Sequence, residues 1–130
     1  MRILIAEHQA EFLRILSELC RLWGHEARGL QHPVLTISTA LDFRPDVVML
    51  DIGMAEIDAR EIARQMRRQR RLEGTLLIAL ADPGLEHERT GHLEAGFDAF
   101  LVKPLNFQEL KGLLQSGVSA KSRSSILVEV

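Results

Sequence analysis

The stretch Val47-Val48-Met49-Leu50-Asp51-Ile52-Gly53 is apolar at consecutive positions and then turns abruptly to a carboxylate. A strand with one wet face alternates apolar and polar residues, whereas an unbroken apolar run of strand length is the pattern of a strand covered on both faces, as in a parallel sheet. Ile3 to Ala6, Leu76 to Leu80 and Ala99 to Val102 have the same character. Helical patterns lie between these runs. From Ala10 to Trp23, the residues Phe12, Leu16, Leu19, Cys20 and Trp23 share one face, while Glu11, Arg14, Ser17, Glu18 and Arg21 take the other. Gly24 is placed to end that helix.

Asp58 with Glu61 three residues on has the form of a capping box, opening a helix with Ala59, Ile62, Ala63 and Met66 on its inner face. Asn106 and Glu109 repeat the device ahead of Phe107, Leu110, Leu113, Leu114 and Val118. Weaker patterns supply an edge strand over Glu26 to Leu30, a helix near Val34 to Leu41, and a polar helix over Glu86 to Ala95 interrupted by Gly91. The order is strand then helix, five times over. Right-handed crossovers then give an α/β fold, a doubly wound parallel sheet with helices on both faces. One domain is expected over residues 1–118, with 119–130 as a polar tail or linker ending in the apolar Ile126 to Val130.

Composition narrows the function. The chain has 130 residues, 46% of them hydrophobic and 26% charged, and a formal net charge of −2. There is no overall basic field for a phosphate backbone or an anionic membrane, so nucleic-acid and membrane partners are not expected of this domain. Arg60, Arg64, Arg67, Arg68 and Arg71 recur at helical spacing and read as a solvated outer face. The single Cys20 in an apolar stretch reads as a core thiol in a reducing compartment, and Met1-Arg2 leads straight into a strand, so a cytoplasmic location is expected. His8, His25, His32, His87 and His92 show no zinc-site spacing, although His8 with Glu7 and Asp51 could accept a softer metal.

In open α/β sheets the functional crevice lies beyond the carboxyl ends of the strands. Those ends carry Glu7-His8, Asp51, Ala81-Asp82 and Lys103-Pro104. Carboxylates from different strands converging with an ammonium suit a cation and a phosphoryl group. A flavin or nucleotide site is disfavoured, because no phosphate-cradling Gly-rich loop follows the first strand.

With these residues in place, the sequence resembles the receiver domain of bacterial two-component response regulators over residues 2–118. The likeness is carried by Ile3-Leu4-Ile5-Ala6-Glu7, by Arg44-Pro45-Asp46 running into Val47 through Met54, and by Ala95-Gly96-Phe97-Asp98-Ala99-Phe100-Leu101-Val102-Lys103-Pro104. The resemblance implies strand order 2-1-3-4-5, the flavodoxin-like arrangement. It implies a non-enzymatic signalling module in which Asp51 accepts a phosphoryl group from a histidine kinase or phosphotransfer protein, with Mg²⁺ bound. Lys103 would pair with the phosphoryl oxygens, Glu7, Asp51 and the Gly53 carbonyl would serve the metal, and Lys103-Pro104 would be cis. A downstream protein partner would read the face formed by helix four, strand five and helix five.

The departures from that pattern matter equally. Receivers carry two adjacent acids after the first strand, and here Glu7 is followed by His8. Mg²⁺ strongly prefers oxygen, so weak or absent Mg²⁺ binding is expected. The Ser or Thr that ends strand four in receivers is Ala81, leaving the switch pair Ala81 and Phe100 without a hydroxyl. The expectation is a phosphorelay receiver with weakened metal binding and switching. The alternative is a phosphorylation-independent interaction module on the same fold.

Overall fold

The computed structural model describes residues 1–54 and 56–117. The expected boundary at residue 118 and the tail over 119–130 lie outside the described residues. The chain runs β1 (Arg2–Ala6), α1 (Ala10–Leu22), β2 (Glu26–Leu30), α2 (Thr36–Phe43), β3 (Val47–Asp51), α3 (Ala59–Arg68), β4 (Leu76–Ala81), α4 (Arg89–Ala95), β5 (Ala99–Val102) and α5 (Phe107–Gly117). Short 3₁₀ turns precede α2 and α4 and follow α3. All strand pairings are parallel, in the order β2-β1-β3-β4-β5. Both the fold class and the strand order are as expected.

Each central strand sends alternate side chains to opposite layers. Ile3 and Ile5 of β1, with Val47 and Met49 of β3, pack against Leu16 and Cys20 of α1 and Leu110 and Leu114 of α5. Leu4, Ala6, Val48 and Leu50 face the other way, onto Ala40 and Phe43 of α2 and Ala59, Ala63 and Met66 of α3. β3 and β4 are buried at every position, which is why their sequences do not alternate. Helix ends follow their local chemistry. Gly24, at φ 94°, takes the left-handed conformation just after α1. Asp58 caps α3 by accepting hydrogen bonds from the amides of Arg60 (3.0 Å) and Glu61 (3.4 Å).

Several helix faces differ from the periodic reading. Ser17 is buried beside Leu16 and Cys20, and Phe107 is 40% exposed at the start of α5. Glu61 does not complete the capping box; its carboxylate accepts from Arg64 and Arg68 on its own helix. Arg67 does not belong to a solvated arginine face. Its guanidinium turns inward to Asp98 at 2.8 Å and to the carbonyls of Gly96 and Thr75. A long side chain departs from the direction that its helical position assigns when buried acceptors lie within reach.

Candidate functional site

Parallel pairing brings the carboxyl ends of four strands to one edge. Ala6 pairs with Leu50, Asp51 with Leu80, and Ala81 with Val102. Backbone bonds extend this order one residue past the strands, from Glu7 N to Leu30 O at 2.9 Å and from Lys103 N to Ala81 O at 2.8 Å. Residues distant in sequence, Glu7, Asp51, Asp82 and Lys103, are therefore held as neighbours.

Glu7 is fully buried. One carboxylate oxygen accepts from the Lys103 ammonium at 2.9 Å and the other from the Gln9 amide at 3.0 Å. Burial pushes the Glu7 carboxyl above its ordinary range; the Gln9 amide and Lys103 oppose this, and the charge of Asp51 adds to it. Burial pulls on the Lys103 ammonium in the direction of deprotonation. The hydrogen bond to Glu7 and the charges of Asp51, Glu7 and Asp82 outweigh that pull, so its pKa stands above the usual lysine value.

Asp51 is also fully buried. Its Oδ1 accepts from the Gly53 amide at 2.9 Å, and its Oδ2 accepts from Nδ1 of His8. The same His8 nitrogen lies 3.5 Å from Glu7. Lys103 sits closest to Glu7, with Asp82 at 3.6 Å, and reaches Asp51 through charge rather than contact. Gly53 is a point of close approach. A methyl group built on it would lie 2.7 Å from Asp82 Oδ2 and 3.4 Å from Asp51 Oδ1.

Glu7, His8 and Asp51 each offer one ligand atom, all within 4.8 Å of one another, so a cation could be held here. The donor set fits Mg²⁺ poorly. It places a nitrogen where a hard ion takes oxygen, that nitrogen is already bonded to Asp51, and Glu7 is bonded to Lys103.

Ala81 is fully buried and belongs to the same apolar cluster as Phe100, which is 3% exposed. The Phe100 ring lies 5.8 Å from that of His92 on α4, and the Arg89 guanidinium sits 5.3 Å above it. His92 donates from Nδ1 to the Glu88 carbonyl at 2.9 Å, which makes it a satisfied core histidine. The sequence places His8 beside Glu7 and Asp51, but not in a direct bond to Asp51, and does not show the approach of Asp82 to Gly53. The adjacency of Glu7-His8 and of Ala81-Asp82 at strand ends is the signal that points to both.

A doubly wound sheet in the order 2-1-3-4-5, with acids and a lysine gathered at its carboxyl edge, defines the receiver class of α/β domains. The family model described as response regulator receiver domain matches residues 3–115, and the chain belongs to that family. It is 29% identical over 133 aligned residues to the transcriptional regulatory protein PrrA of Mycobacterium tuberculosis, covering 99% of this chain and 56% of PrrA. The chain thus spans about half the length of the curated relatives it matches.

Among solved structures, the signal receiver domain of a DNA-binding response regulator from Colwellia psychrerythraea superposes with a TM-score of 0.82 at 25% identity, covering 92% of this chain and 98% of that one. The receiver domain of sensor histidine kinase PA1611 from Pseudomonas aeruginosa superposes with a TM-score of 0.80 at 24% identity, over 91% and 97% of the two chains. That structure has a magnesium ion coordinated in its active-site cleft. Among the described residues of this protein, no helix is long and apolar enough to cross a membrane.

Proposed function

We propose that the domain is a phosphorelay receiver in which Asp51 accepts a phosphoryl group from a phosphohistidine of a histidine kinase or phosphotransfer protein. The observation that carries this reading is the buried Asp51 carboxylate at the end of β3, with its Oδ1 fixed by Gly53 and a partly exposed ammonium, Lys103, at the same strand ends. An Asp51 carboxylate oxygen attacks phosphorus, the P–N bond breaks, and the donor imidazole leaves with the bonding pair and takes up a proton. Lys103 offsets charge on the phosphoryl oxygens. Glu7, Asp51 and Gly53 are the metal-facing positions, and Mg²⁺ binds weakly there because His8 stands where an oxygen donor belongs. The face of α4, β5 and α5 contacts the downstream partner. With Ala81 in place of a hydroxyl, little free energy separates the two states of Phe100, so switching is damped.

The His8–Asp51 hydrogen bond favours a second reading, a module that binds partners without being phosphorylated, because it occupies one of the two carboxylate oxygens of Asp51. Intact mass after incubation with a small phosphodonor, with and without Mg²⁺, decides between them. The first reading expects slow addition of one phosphoryl group to the wild type and none to Asp51→Asn. Equal labelling of both proteins excludes Asp51 as the acceptor, and labelling of neither supports the second reading.

A further inference from the structure

We infer that Asp82 is a built-in anion, filling the berth that a phosphoryl group on Asp51 would need and so holding free oxyanions out of the cleft. The inference rests on the reading of Asp51 as acceptor and adds to it a residue which that reading leaves unused. Asp82 follows directly on β4, and its half-exposed carboxylate stands between Lys103 and Gly53. Oδ1 is 3.6 Å from the Lys103 ammonium, and Oδ2 lies 2.7 Å from where a Gly53 Cβ would stand. A phosphoryl group on Asp51 would seek those same surroundings, an ammonium on one side and the open backbone of Gly53 on the other.

Charge sharpens the point. Asp82 Oδ2 and Asp51 Oδ1 both lie within 3.4 Å of that one position above Gly53, so two like charges face a common space. Lys103 offsets their repulsion, and an incoming oxyanion must displace Asp82 from Lys103 to gain the same attraction. Ala81 brings no hydroxyl with which to compensate. A small neutral residue at position 82 would leave the berth open, with Lys103 in contact with Glu7 alone and drawn by charge to Asp51.

The test is sulfate binding followed by amide NMR at constant ionic strength, in the wild type, Asp82→Ala and Asp82→Asn. The expected result is saturable shifts at Gly53 and Lys103 in Asp82→Ala, with affinity about tenfold above wild type once one half-exposed repulsive charge is gone. Asp82→Asn, which keeps the bulk and loses the charge, falls between. Equal sulfate affinities in wild type and Asp82→Ala, including no binding to either, overturn the inference. So does a loss of Mg²⁺ affinity in Asp82→Ala without any gain for sulfate, which would make Asp82 a cation ligand. Phosphodonor labelling is scored separately: its failure in every variant removes Asp51 as acceptor, while sulfate alone decides the role of Asp82.

Discussion

The two ends of the sheet hold buried charge in opposite ways. At the amino edge, one cation meets a complete set of acceptors. Arg67 donates to Asp98 at 2.8 Å, to Gly96 O at 2.8 and 2.9 Å and to Thr75 O at 2.8 Å, while Asp98 also accepts from the Leu77 amide. At the carboxyl edge, Lys103 faces Glu7 and Asp82 with Asp51 close behind, and the half-exposed His8 supplies the remaining contact. The first arrangement joins α3 to the starts of β4 and β5 and leaves nothing for a ligand to satisfy. The second carries surplus negative charge at the strand ends, where shifted pKa values mark sites that act on something else.

That contrast breaks most visibly at Arg67. Arg67→Met leaves Asp98 buried without its cation and should lower the unfolding free energy by about 3–5 kcal/mol, read by urea denaturation. A loss under about 1 kcal/mol would show that the amino edge is not the stronger clamp. Lys103→Met should cost less, about 1–3 kcal/mol, because burial already favours the protonated Glu7 carboxyl, which can take up a proton when its partner goes.

The pH dependence separates the cause. Lys103 is raised above 10.5, so its contribution is full below that pH and is lost as pH rises through the folded value. The Cys20 thiol, pushed by burial to about 11 from 9.0, also loses its contribution as pH climbs through that window. The comparison therefore belongs in Cys20→Ala, where wild-type Lys103 should still give a falling alkaline limb and Lys103→Met should not.

Further substitutions sharpen the description of the carboxyl edge. His8→Asp replaces the nitrogen with a hard oxygen donor and frees Asp51 Oδ2, so Mg²⁺ affinity should rise roughly tenfold by titration. Unchanged affinity would mean that His8 does not limit the site. Ala81→Thr puts a methyl and a hydroxyl into a fully buried position and should cost about 1–3 kcal/mol. It should restore amide shifts across residues 86–105 when Asp51 carries a phosphoryl mimic. Large shifts there in the unsubstituted protein would show that switching proceeds without the hydroxyl.

Legibility from sequence followed the same division. The run Leu76 to Leu80 announces a buried strand because every position is apolar, and the structure extends it to Ala81, with the polar contacts carried by Asp46 and Asp98. The ends of α2 and α4 were vague because short helices with 3₁₀ entries give too few turns for a period to emerge. Asp51, Glu7 and Lys103 were visible as strand-end charges. Which of them Lys103 touches was not, since a four-carbon stem lets one ammonium choose among several carboxylates. Likewise, the helical period placed Arg67 on the polar face, and only the position of the Gly96 carbonyl and Asp98 turned it inward.

The Arg67 clamp bears on how this domain can change over generations. Substitutions are tolerated while stability stays above the level that keeps a chain folded. With the sheet tied at its amino edge, replacements such as His8 and Ala81 at the opposite edge alter chemistry while the core order of strands is kept by other contacts. Stability supplied at the amino edge in this way leaves side chains at the carboxyl edge free to differ in chemistry while the strand order persists.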